Sequence, residues 1–142
     1  MNENEKYFAL DKYNIPTYID DITHLFKKEW WTKERSSSYI IDILQKSSLI
    51  FICTNIESNK LIGFCRVITD FVDTAIILDV IIDSEYRKKG IGKELMNYVL
   101  TYPEIRSVDK FDLHCKQDLE FFYGKLNFNK GQNKMIWMRK NK

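Results

Sequence analysis

Cysteine, proline and glycine are scarce in this 142-residue chain, and neither sign of charge predominates. Its three cysteines, Cys53, Cys65 and Cys115, are odd in number and widely spaced. With no C-x-x-C pair and no neighbouring histidines, they argue against a disulfide framework or a structural zinc, and each fits as a small buried hydrophobe. Twenty-two Lys and Arg against twenty Asp and Glu leave a formal charge of +2, too little for an overall basic field that would hold nucleic acid. No apolar run approaches the roughly 18 residues of a membrane span. The opening MNENEKYF is charged from the start and lacks the apolar stretch of a signal peptide, which leaves the cytoplasm as the expected compartment. There is no repeat, no low-complexity tract and no Gly/Ser/Pro linker, so residues 1–142 are expected to form one domain.

What is present is an apolar fraction of 44% with 14% aromatics, enough to close a single core. Pro16-Thr17 opens a predicted helix running to about Glu29, with Ile19, Ile22, Leu25 and Phe26 on one stripe. Serines 36 to 38 can cap a second helix carrying Ile40, Ile43 and Leu44. Leu49 to Thr54 and Leu61 to Thr69 read as strands joined by a turn at Glu57 to Lys60. The run AIILDVII, residues 75–82, is the strongest strand, five of its eight residues being β-branched. A helix is predicted from Gly92 to about Thr101, a strand over Val108 to Cys115, a helix over Gln117 to Leu126 and a short last strand over Met135 to Arg139. The sum is a mixed α/β domain with one strand–turn–helix unit at its centre.

That central unit carries the chemistry. Between the strand and the helix stand Arg87, Lys88 and Lys89, then Gly90 and Gly92 flanking Ile91, then Lys93. Free N–H groups and the positive dipole end at a helix start attract an anion, and glycine lets the main chain approach phosphate oxygens. A diphosphate suits the pattern. The Walker pattern fails because Arg87 stands where its first glycine belongs and Glu94 follows Lys93; the dinucleotide pattern G-x-G-x-x-G fails after Gly92.

The stretch Arg87-Lys88-Lys89-Gly90-Ile91-Gly92, preceded by VIIDSEYR, resembles the R-x-x-G-x-G acetyl-CoA motif of the GNAT N-acetyltransferase superfamily. Downstream, FFYGKLNF resembles the same superfamily's F-Y-x-K-x-G-F signature through Phe122, Tyr123, Lys125, Leu126 and Phe128. The likeness is good over residues 49–140 and loose before, where WWTKERS, like GFCRVITD further on, resembles a small bacterial branch.

The resemblance implies the GNAT acyl-CoA N-acyltransferase fold: a twisted, mostly antiparallel sheet flanked by about four helices. It implies an acetyl-CoA-dependent N-acetyltransferase, without metal, acting on a primary amine of a small-molecule or peptide acceptor; no cysteine falls in either motif, so direct transfer in a ternary complex is expected, by a monomer or homodimer. Main-chain atoms of Val80, Ile81 and Ile82 would bind the pantetheine arm, and the N–H groups of Arg87 through Lys93 (Arg87, Lys88, Lys89, Gly90, Ile91, Gly92, Lys93) the pyrophosphate. Tyr123 would protonate the departing thiolate, a role its phenol suits by staying protonated at neutral pH. Lys116 departs from an expected Asn, Asn127 from a glycine and Gly124 from a helix-favouring Glu.

A charge inside the most apolar strand requires an explanation. Asp79 is either paired, with Arg66 or His114, or faces the substrate cavity, where it is the candidate general base. Asp70 and Asp73 are weaker base candidates and read better as turn residues. His114 reads as a packing residue, and Trp30, Trp31 and Arg35 as either acceptor-pocket or core residues. The competing functions are a non-catalytic acyl-CoA sensor on the same fold, which would need neither Tyr123 nor a base, and a nucleic-acid module, which the charge balance opposes.

Overall fold

The structure, a computed structural model, describes residues 3–131 and 135–142. Five strands form one sheet in chain order: β1 Glu5–Ala9, β2 Leu49–Asn55, β3 Leu61–Thr69, β4 Thr74–Ile82 and β5 Lys110–Leu113. Pairing is antiparallel from β1 to β4 and parallel between β4 and β5. Helices α1 (Ile15–Lys27) and α2 (Ser37–Lys46) cover one face. Helices α3 (Ile91–Leu100) and α4 (Glu120–Gly124) pack on the other. The mixed α/β, mostly antiparallel architecture expected from the sequence is the one found.

Alternation along the strands splits the core. Ile50 and Ile52 of β2 and Phe64 of β3 meet Ile22, Leu25 and Phe26 of α1 and Ile40 and Leu44 of α2. Their neighbours Phe51, Cys65 and Val67 face Leu95, Met96 and Val99 of α3. Phe26 and Phe64 are both fully buried, edge to face at 5.1 Å between centroids, and tie α1 to the sheet. Pro at the first turn of α1 and Ser36, whose Oγ accepts the Tyr39 N–H, start the two helices as the sequence suggests.

Several boundaries differ. Strand β1 has no counterpart among the predicted elements: charged residues interrupt EKYFA, which lies at the sheet edge. Helix α4 is only five residues long, preceded by a 3-10 turn at Gln117–Leu119, because Gly124 and the left-handed Asn127 (φ 69°) end it early. The last predicted strand does not form. Residues 135–139 are irregular, and Met135, Ile136, Trp137 and Met138 are exposed. Cys53 and Cys65 are buried as expected, whereas Cys115 lies beyond the end of β5 and is exposed. Among the described residues no helix is long and apolar enough to cross a membrane.

The end of β4 is fixed by Asp83. Its N–H donates to the Ile62 carbonyl at 2.8 Å, and one carboxylate oxygen accepts the Glu85 N–H at 3.0 Å. The other lies 3.3 Å from both Lys28 and Lys60. Burial alone would raise this carboxyl; the Glu85 N–H and the two ammonium groups reverse that and hold it below its ordinary value.

Two outcomes are expected. Phe26→Ala should cost about 3–5 kcal/mol in urea unfolding. Asp83 has a depressed folded-state pKa, so its contribution is complete above the unfolded value of about 4 and is lost as pH falls through the folded one. Asp83→Asn should therefore cost about 1–2 kcal/mol at pH 7, since both lysines are partly exposed, and flatten the loss of stability between pH 5 and pH 2.

Candidate active site

Strand β4 contains one residue more than its partner opposite. Arg66 pairs with Leu78 and Phe64 with Ile81, so Cys65 alone faces Asp79 and Val80. Asp79 takes up the extra length with φ 53°, a left-handed conformation. Before this bulge Ile77 points towards α3, and four residues later Ile81 points towards α1, so the alternation is inverted.

Pairing with β5 ends at the same level. The ladder runs from Thr74 opposite Lys110 to Ile77 opposite Leu113 and stops, while β3 stays paired with β4 as far as Ile82. The Asp83 N–H bond to Ile62 fixes which groups face β3. By alternation the main-chain groups of Ile82 and Val80 turn to the opposite edge, which β5 has left. Ile81 has its main chain towards β3 and its side chain in the core. Of the three residues predicted to offer main-chain atoms, Val80 and the N–H of Ile82 thus face the gap, the Ile82 carbonyl already accepting Arg87 Nε.

The basic turn follows. A 3-10 turn at Ser84–Tyr86 leads to an extended Arg87, then to Lys88 with φ 62° and Gly90 with φ 82°. Gly90 is the N-cap of α3, and a Cβ there would meet nothing within 4 Å, so its requirement is conformational and its surroundings are open. No side chain caps the helix, whose first internal bond runs from the Glu94 N–H to the Gly90 carbonyl at 3.0 Å. The N–H groups of Ile91, Gly92 and Lys93 are therefore free for an anion. Gly92 has no such requirement: a Cβ there would lie 3.4 Å from the Phe122 ring and 3.7 Å from Ile82, which is ordinary packing contact with α4 and β4. Lys88, Lys89 and Lys93 are exposed around the turn. The Ile91 side chain is buried, leaving only its main chain available.

Arg87 behaves differently from its neighbours. Its Nε donates to the Ile82 carbonyl at 2.9 Å, and its Nη2 pairs with Glu29, just beyond α1. The guanidinium links the basic turn to β4 and to the α1 side, and its charge is directed there. Nothing in the sequence marked Glu29 for this contact, across 58 residues.

Tyr123 of α4 is 7% exposed, its ring edge-on to Phe122 at 4.9 Å and to Phe128 at 5.9 Å. Asn127, in the left-handed region where Asn is the next best residue after glycine, returns Phe128 so that its N–H reaches the Tyr123 carbonyl at 3.1 Å. Burial pushes the phenol above its ordinary pKa, with Cys115 and Cys65 nearby adding to the effect, so the hydroxyl keeps its proton.

Asp79 is paired. Its Oδ2 accepts Arg35 Nη1 and Arg66 Nε, both at 2.7 Å; its Oδ1 accepts Arg35 Nη2 and the Trp31 indole N–H, both at 3.3 Å. Burial would raise the carboxyl, but the hydrogen bonds and charges of the two arginines hold it below the ordinary carboxylate range. Four donors fill the acceptor capacity of a carboxylate. A general-base role is disfavoured by that geometry, which is that of an anchor holding the α1–α2 connection against the bulge. His114 is not its partner: that ring is exposed and lies 4.6 Å from Trp137.

Trp30 stands edge-on to Trp31 at 5.7 Å, and Lys116, from beyond β5, places its ammonium 4.9 Å from the Trp30 ring centre. These contacts bring the α1–α2 connection and the end of β5 together across the gap. Asp70 and Asp73 are turn residues: Asp70 Oδ1 accepts the N–H groups of Val72, Asp73 and Thr74, and Asp73 pairs with Lys110. Among the described residues no group of three His, Cys, Asp or Glu could hold a metal.

The Acetyltransferase (GNAT) family is matched over residues 16–128. An uncharacterized N-acetyltransferase, ycf52, of Porphyra purpurea is 31% identical over 106 residues, 72% of this chain and 56% of that protein. The chain thus spans about half the length of such curated relatives. Among solved structures, a GNAT family acetyltransferase from Streptococcus pneumoniae superposes with a TM-score of 0.74 at 18% identity, covering 96% of this chain and 99% of that one. An aminoglycoside acetyltransferase from an uncultured soil sample gives 0.74 at 16% identity, covering 99% and 97%. At those identities the structures speak for the fold alone, and the family match over most of the chain adds the lineage: the protein belongs to the GNAT acetyltransferase family.

Proposed function

We propose that this chain transfers the acetyl group of acetyl-CoA to a primary amine, directly and within a ternary complex. The observation that carries the reading is the continuity of an open strand edge with an uncapped helix start: Val80 and Ile82 present main-chain groups where β5 has departed, and Ile91 to Lys93 present theirs eleven residues further on. An extended arm with amide groups fits the first and a diphosphate fits the second. Lys88, Lys89 and Lys93 supply mobile positive charge beside the cradle.

Acetyl-CoA supplies an activated acyl carbon with a thiolate leaving group. The chain's part is to hold it, orient it and manage protons. Tyr123 is the assigned proton donor to the departing sulfur, since its buried phenol stays protonated at neutral pH. Asp79 is assigned to positioning: saturated by Arg35, Arg66 and Trp31, it fixes the wall against which the amine would sit. Neither Cys53 nor Cys65 suits a covalent relay, both being buried with thiols pushed upward by that burial.

Calorimetric titration with acetyl-CoA should give saturable binding; absence of heat would remove the proposal. Gly90→Ala should weaken that binding about tenfold or more, because a Cβ is disfavoured at φ 82°. In a thiol-release screen of amines, Tyr123→Phe should lower kcat by about 100-fold with acetyl-CoA affinity nearly unchanged. Unaltered turnover would strip Tyr123 of its role.

A further inference from the structure

The Asp79 cluster contains two guanidinium groups and one carboxylate, so it holds one positive charge in excess. The side chains are largely withdrawn from water, with relative exposures of 18% for Arg35, 12% for Arg66 and 5% for Asp79. Arg35 directs both Nη groups at the carboxylate. Arg66 uses only Nε. Its two Nη groups have no protein partner among the described residues, yet neither is sealed from solvent. They form the planar fork that matches carboxylate or phosphate oxygens.

The surroundings reinforce that charge. Lys116 stands over Trp30, which is edge-on to the Trp31 bonded to Asp79. Among the described residues no carboxylate other than Asp79 lies within ion-pair distance of Arg35, Arg66 or Lys116. Glu29, beside the same connection, is taken by Arg87. A polycationic amine would meet like charge here, and its seat over the Trp30 ring is already filled by an ammonium. An excess cation with free donors, partly desolvated, is stabilised by an incoming anion.

Resting on the acetyltransferase reading, we propose that the acceptor is an amine that also carries an anionic group, carboxylate or phosphate, bound by the free Nη fork of Arg66. Amine and anion would then be read at separate points of one gap. Specificity of this kind is sharp where a bound ligand covers the fork, because one that lacks the anion then cuts those donors off from water without pairing them.

The test titrates inorganic phosphate and, separately, acetate into protein saturated with CoA, following tryptophan fluorescence through Trp31, which shares the Asp79 carboxylate. Wild type should respond saturably to at least one anion, about tenfold more weakly after Arg66→Gln, with Arg66→Lys intermediate because it keeps the charge and loses the fork. Circular dichroism checks that each variant is folded; if Arg66→Gln is not, the Arg66→Lys affinity decides. No saturable response in wild type, or equal affinity in the variants, overturns the proposal. A thiol-release panel then separates the sources by pairing an amino acid with its carboxamide and a phosphorylated amino sugar with the plain one. The charged member of one pair should lead by about tenfold, and Arg66→Gln should erase the lead. Equal or better turnover of uncharged or polycationic amines contradicts it, and the anion titration decides alone where no amine is acetylated. Failure of acetyl-CoA to bind would instead remove the acetyltransferase reading, with the Arg66 dependence still readable on protein without CoA.

Discussion

One surplus residue in β4 organises this molecule. Asp79 cannot pair in register, so the strand inverts its faces there, and the ladder to β5 ends two residues before it. Unpaired strand edges are a liability in a folded protein, open to association with any extended chain. Here the edge is short, lies where β5 leaves β4 and leads straight into a glycine-started helix, so in the proposed function the same groups would receive a long, amide-bearing, phosphorylated molecule. Binding by strand addition and binding at a helix start combine along one path.

A left-handed Asp inside a strand has to be held, and the cluster around it does so. Arg66 from β3 grips it from within the sheet, and Arg35 and Trp31 grip it from the α1–α2 connection. The same carboxylate that stabilises the bulge therefore also anchors the α1–α2 connection. This dual duty accounts for the depressed pKa better than proton abstraction does, since a base needs a free lone pair and a pKa nearer neutrality.

Much of this was legible in the sequence and some was not. The β-branched run at 75–82, the R-x-x-G-x-G turn and the F-Y-x-K signature each fix local geometry by residue type, and the strand, turn and helix lie where those types require. Asp79 was visible as an anomaly, with Arg66 or His114 as alternative partners, because a charge in an apolar strand demands compensation, and the structure supplies Arg66. Arg35 as the second partner, the Glu29–Arg87 pair and the Lys116–Trp30 contact were not, since contacts spanning 44, 58 or more residues leave no local periodicity. Strand β1 leaves little local signal because half-buried edge residues tolerate the charges that a central strand excludes. Residues 135–139 are the reverse case: apolar, β-favouring residues do not by themselves make a strand, and these stay irregular and exposed.

The claim on which the rest depends is that β4's released edge and the start of α3 form one binding track. Amide hydrogen exchange with and without acetyl-CoA measures this residue by residue. The account predicts added protection concentrated at Val80, Ile82 and Ile91 to Lys93, with little change in β1 or β2. Protection absent from both segments while acetyl-CoA is bound, or confined to another face of the sheet, would contradict it.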